Sequence, residues 1–117
     1  MNLADTVQRV DTQLSHVWMV RTFLKHSDEA AEDEELAEIH RALYDYMLAL
    51  GAPLQEGDAA EYVRVATKKF ARLRQAAETF REIQPEVSAH MNFRMAAQSL
   101  TAAVAEISAA LAAADPA

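Results

Sequence analysis

Histidine is the residue type in this sequence best suited to proton transfer and metal binding, because the pKa of its imidazole lies near neutrality. The chain has no cysteine and four histidines, which are His16, His26, His40 and His90. None of them has a glutamate three positions before it, the spacing of di-iron carboxylate bundles, and no two are four positions apart, as zincin motifs require. The spacing therefore predicts no metal motif, no cofactor and no catalytic set.

Polar side chains nevertheless concentrate at one end of the helical arrangement that the sequence predicts. Arg21 and His90 occupy positions that the apolar pattern would give to leucine, and a charge placed there must be paired or reach solvent. One interpretation is a polar pocket at this end that binds an anion through Arg21 and Arg94, or a metal through His26, His40 and His90. The alternative is a set of internally satisfied buried polar groups together with surface histidines, including His16. The candidate ligand-binding residues are Arg21, His26, His40, Glu86, His90 and Arg94.

The elements that must position these residues are helices. The 117 residues include only two glycines and three prolines, too few for an all-β domain. Breaks are predicted at the acidic stretch 27–35, in the loop 51–58 and at Pro85. They leave four predicted helices, near residues 3–29, 33–50, 59–83 and 86–113. The predicted fold class is all-α, a single antiparallel up-down-up-down four-helix bundle in one domain spanning residues 1–117.

Each predicted helix carries an apolar stripe that steps by three and four residues, the pattern of helices that pack side by side. Asp58 is predicted to cap the third helix, and Pro85 suits the first turn of the fourth, where a missing N–H is tolerated. The stripes include Leu14 and Leu24 in the first helix, Ile39 and Leu43 in the second, Phe70 and Phe80 in the third, and Phe93 and Leu100 in the fourth.

The overall charge disfavours two classes of partner. A net charge of −7 argues against nucleic acid and against an anionic membrane surface. No uninterrupted apolar run approaches the roughly 20 residues of a transmembrane helix. The first residues lack the basic and apolar regions of a secretory signal, so we expect a cytoplasmic protein.

The charges are also distributed unevenly along the chain. Residues 28–38 hold seven acids and no base, whereas residues 64–74 hold five bases and no acid. Arg64, Lys68 and Arg72 step by four and form one stripe. This basic stripe is either a solvated helix face or a docking face for an acidic partner.

Apolar side chains exceed what a bundle of four helices needs. The middle of the first helix is apolar nearly all round, and the fourth helix has a second apolar edge. The surplus is a candidate dimer or partner surface, unless an irregular bundle buries it internally. Its candidate interface residues are Trp18, Met19, Phe23, Met91 and Met95.

One short segment resembles a known family. Arg21 and His26 have the Arg-x4–6-His spacing of HEPN ribonucleases, which are also small helical bundles. The resemblance implies RNA cleavage that depends on these two residues. It covers six residues of the first helix, whereas the family's motif usually sits late in the domain.

The sequence therefore predicts a non-enzymatic binding or assembly module that self-associates as a dimer or binds another protein. The first alternative is an anion- or metal-binding bundle with a polar pocket at the end that holds His26, His40 and His90. The second alternative is a HEPN-type ribonuclease.

Overall fold

Every regular element in residues 1–116, the part of the chain that the computed structural model describes, is a helix. The all-α prediction is therefore confirmed, but six helices are found instead of four. They are α1 (Leu3–Lys25), α2 (Asp28–Glu32), α3 (Glu34–Gln55), α4 (Ala59–Lys68), α5 (Phe70–Val87) and α6 (Met91–Ala112).

The long helices pack around one apolar core. Both α1 and α5 contact α3 on one side and α6 on the other, so α1 and α5 lie diagonally opposite each other. The shorter α4 packs mainly against α1 and α3. The predicted stripes supply most of the core, whose fully buried large side chains include Leu24, Leu36, Leu43, Leu73, Phe80, Leu100 and Ile107. In α4 the fully buried side chain is Tyr62, which lay outside the predicted stripe, whereas Val63 of that stripe is only half-buried.

The acidic stretch between the first two long helices is not a loop. Ser27 accepts a hydrogen bond from the Ala30 N–H and starts the short helix α2. Asp33 then ends α2 and caps α3 by accepting from the Leu36 N–H. Carboxylates in a first helical turn are favoured by the helix dipole, so this stretch can be both acidic and helical.

The predicted third helix is interrupted at Lys69, which separates α4 from α5. Asp58 caps α4 by accepting from the Glu61 N–H, as predicted. At the other end, the Tyr46 hydroxyl of α3 donates to the Ala66 carbonyl oxygen at 2.9 Å. In a continuous helix that oxygen would accept from the Phe70 N–H. A side chain inserted into the backbone ladder is a known cause of such a break.

Two proline positions correct the predicted boundaries. Pro53 lies inside α3 and Pro85 inside α5, each two residues before its helix ends. Because a proline so close to the end disturbs only the last turn, it does not stop the helix at the residue before it. The break before the last helix lies at Ser88–His90, so this helix begins at Met91 and not near residue 86.

α6 alone among the described helices is long and apolar enough to cross a membrane, judged by length and composition. In this fold α6 places eight residues in the buried core, against α1 and α5. A core helix passes the same length and composition test.

Candidate interaction surface between α1 and α3

The side chain of Arg21 stacks over two aromatic rings on adjacent helices. Its guanidinium carbon lies 5.0 Å from the ring centroid of Trp18, one turn earlier on α1. The same atom lies 4.5 Å from the ring centroid of Tyr44 on α3. Both distances are in the range where the ring quadrupole attracts a cation. The three side chains therefore form one unit across the α1–α3 groove.

Arg21 has no carboxylate partner within residues 1–116. Its Nε atom is buried and makes no hydrogen bond with the described side chains or backbone. Asp45 of α3 pairs with Arg72 at 3.1 Å. Glu86 is exposed on α5, across the core from α1. Arg21 is therefore held by aromatic stacking and not by an ion pair.

His40 lies in the same groove, half-buried on α3. Burial lowers the pKa of His40 below its ordinary value, and the positive charges of Arg41, Arg21 and Lys25 lower it further. Desolvation and nearby cations both disfavour the imidazolium. Three cations therefore lie close enough to His40 to disfavour its charged form, although the chain as a whole is acidic.

We call the surface formed by Trp18, Arg21, Tyr44 and Leu48 the Trp18–Tyr44 face. Trp18 is 47% exposed, and Leu48, one turn beyond Tyr44, is 63% exposed. Trp, Tyr and Arg are the residue types that most often dominate binding energy at protein interfaces. Tyr44 and Leu48 were missed by sequence reasoning because they lie beside the buried stripe of α3. Their four-residue spacing was the available signal.

The predicted polar pocket is not assembled. His26 is the C-cap of α1, where its Nδ1 hydrogen-bonds with the Thr22 carbonyl oxygen at 2.9 Å. His90 is the N-cap of α6, where its Nδ1 accepts from the Asn92 N–H at 3.0 Å. Among the described residues no three His, Asp or Glu side chains lie close enough to hold a metal.

His90 also does not lie in the apolar stripe of the last helix, where the sequence pattern placed it. It is exposed and precedes the helix, so it does not occupy the apolar stripe. The later start of α6 is the cause, because a residue outside a helix no longer follows that helix's periodicity. Of the remaining pocket candidates, Arg94 is exposed and lines an open groove with Arg81, Gln84 and Gln98.

The predicted interface residues separate into two groups. Trp18, Met19, Met91 and Met95 are exposed, with Met19 the most exposed of them at 68%. Phe23 is half-buried and meets Phe93 edge to face, with ring centroids 5.0 Å apart. Part of the apolar surplus is therefore buried internally, and the rest is open.

The two residues of the ribonuclease-like spacing point apart. Arg21 and His26 are five positions apart on one helix, so their side chains diverge by about 140°. Arg21 is directed to the aromatic rings of the groove, whereas His26 bonds back to its own helix. The geometry does not bring the pair to one reacting atom.

The basic stripe is largely neutralised within the chain. Arg64 forms two hydrogen bonds with the Glu61 carboxylate, and Arg72 pairs with Asp45. This arrangement favours a solvated helix face over a docking face.

No family model matches the chain, and no curated protein or solved structure matches it significantly.

Proposed function

We propose that the chain is a non-enzymatic binding and assembly module that self-associates through the Trp18–Tyr44 face. The observation that carries this proposal is the stacking of Arg21 over Trp18 and Tyr44 at a solvent-exposed groove. The stacking holds a large aromatic surface in one conformation, which reduces the entropy lost on binding. The cation of Arg21 is left without an internal carboxylate and is available to one from a partner.

The fold suits this role. We infer that the six helices work as an antiparallel up-down-up-down bundle of four arms, with α4 and α5 forming the third arm. The contacts of α1 and α5 with both α3 and α6 support this arrangement. A bundle of long helices offers a rigid, elongated surface for binding. We also propose that the protein is cytoplasmic, a proposal that rests on the sequence features alone.

The test is the oligomeric state of the wild-type chain, measured by light scattering over about 1–100 µM, the range of weak to moderate protein association. A mass that rises with concentration toward twice 12.9 kDa supports the proposal. A monomer at every concentration overturns self-association. RNA cleavage lost on changing Arg21 or His26 would overturn the non-enzymatic assignment.

A second candidate function is anion binding in the groove between α5 and α6. Arg81 and Arg94 both line this groove, and neither forms an ion pair within the described residues. Calorimetric titration with inorganic phosphate tests it directly. Heat that disappears in Arg94→Gln supports the site, and no heat with the wild-type chain removes it.

A further inference from the structure

Three exposed residues of α1 share one side of the helix. Asp11, Trp18 and Lys25 are spaced seven positions apart, and each is exposed. Two turns of an α-helix contain close to seven residues, so these side chains fall in one line. At Trp18 and Lys25 the line borders the α1–α3 groove, because Arg21 joins Trp18 to Tyr44 of α3 and the charge of Lys25 acts on His40. At Asp11 it lies beside α4, since the charge of Asp11 acts on Tyr62.

The two charged ends of this line are unpaired. Neither Asp11 nor Lys25 forms a salt bridge or a side-chain hydrogen bond in the part of the chain that the structure describes. Asp11 acts on Tyr62 of α4 only through its charge, which adds to burial in raising the pKa of that phenol. A carboxylate and an ammonium are thus both available to a partner.

Asp11 and Lys25 are placed symmetrically about Trp18. Asp11 lies seven residues before it and Lys25 seven residues after it, so each charge is about 10 Å from the tryptophan along the axis. A two-fold axis through Trp18, perpendicular to the helix, reverses the helix direction. It brings each Lys25 opposite Asp11 of the second copy. A parallel arrangement would instead oppose like charges at both ends, which disfavours it.

We propose that a second copy of this chain docks on the Trp18–Tyr44 face with the two α1 helices antiparallel. This proposal rests on the proposed function and adds the partner and its orientation. Trp18 packs at the centre against its symmetry mate, and Tyr44 and Leu48 extend the apolar contact. Two ion pairs, each between Asp11 of one copy and Lys25 of the other, lie at the rim of the interface. An apolar aromatic centre with a charged rim is the usual anatomy of a specific interface, and one patch meeting itself is the rule for a two-fold dimer.

Charge reversal tests the orientation. In Asp11→Lys both rim pairs become two lysines, and in Lys25→Asp both become two aspartates. We expect each variant alone to self-associate at least about tenfold more weakly than the wild-type chain, because like charges are now opposed. An equimolar mixture of the two variants restores attraction at both ends. We expect this mixture to form a heterodimer with an affinity close to that of the wild-type homodimer, measured by analytical ultracentrifugation.

Matched controls come from α5, which lies diagonally opposite α1. Glu82→Lys and Arg74→Asp make the same changes in net charge at exposed positions. We expect both to associate like the wild-type chain, and far-UV circular dichroism checks that every variant is folded.

A disulfide test fixes the register independently, since the chain has no cysteine. Asp11→Cys mixed with Lys25→Cys should give a crosslinked heterodimer on oxidation. Asp11→Cys alone should not, because its two copies lie about 20 Å apart along the axis.

The outcomes separate the two proposals. A wild-type chain that stays monomeric removes self-association and this inference together. A wild-type dimer that is insensitive to charge reversal at Asp11 and Lys25 overturns only this inference and leaves the assembly function to another face.

Discussion

The Trp18–Tyr44 face and the turn between α5 and α6 both present a nitrogen-bearing side chain at the surface, but they satisfy it in opposite ways. The His90 ring accepts a backbone N–H and completes the start of α6. The Arg21 guanidinium is held by two rings, and its Nε has no acceptor among the described residues. A polar group that is satisfied by its own helix has a structural role. Arg21 has no such role within its own helix: stacking fixes its position, and its charge has no carboxylate partner among the described residues.

The largest effect is expected from Trp18→Ala. The change removes the central aromatic side chain of the proposed interface, where truncation typically costs about 2 kcal/mol of binding energy or more. We therefore expect self-association to weaken by more than about tenfold. Met91→Ala, at an exposed residue of α6, is the control and should leave association unchanged. Equal losses in the two variants, measured by sedimentation velocity, would contradict the assignment of the face.

The next largest effect is expected at the turn between α5 and α6, where His90 lies. His90→Leu removes the N-cap of α6 and should lower the free energy of unfolding by about 1 kcal/mol. His90→Asn keeps a cap acceptor and should recover most of that loss. Urea denaturation of both variants provides the measurement. If the leucine variant were the more stable one, His90 would have to lie in the apolar stripe after all.

Arg21→Met should change the free energy of unfolding by less than about 1 kcal/mol, because two cation–π contacts are lost while a buried, unsatisfied Nε is also removed. The stem still packs, and no internal carboxylate is stranded. A loss of several kcal/mol in the same urea experiment would reveal a buried partner charge.

The smallest effect is a change in the pKa of His40. In the folded chain this pKa lies below its ordinary value, so the unfolded chain binds the proton more readily. His40 therefore contributes stability that is present above the ordinary histidine pKa and is lost as the pH falls toward the lowered pKa. Arg21→Met removes one of the positive charges responsible and should raise the His40 pKa. A titration of the imidazole signals by NMR that shows no rise would place Arg21 farther from His40.

Much of the fold was predictable because apolar periodicity survives in long helices. The stripe residues Leu14, Leu43 and Phe80 of three different helices all lie in the core. Helix ends that depend on a contact distant in sequence were harder to predict than ends with a local cap such as Asp58. The break at Lys69 depends on a hydroxyl from α3, which local sequence does not contain.

The candidate site was predictable only in part. Arg21 was singled out because its type conflicts with its position, and such conflicts tend to mark unusual environments. Its neighbour Trp18 lies one turn earlier on the same helix, a spacing that the sequence already shows. Its other neighbour, Tyr44, lies on α3, so only the packing of α1 against α3 identifies it. The placing of His90 in the apolar stripe was wrong because it depended on a helix beginning near residue 86, and α6 begins at Met91.

The break at Lys69 also has a consequence for dynamics, because it allows α4 and α5 to open at different rates. α4 is only ten residues long, and short helices are marginal without tertiary contacts. α5 begins as a separate helix after Lys69, and no side-chain hydrogen bond caps its N-terminus. α4 thus depends on its packing against α1 and α3, and we expect it to open locally more often than the longer α5. Its backbone amides should then exchange with solvent deuterium through that opening. Slow exchange in α5 beside faster exchange in α4 would show that the interrupted arm is two independent units of motion.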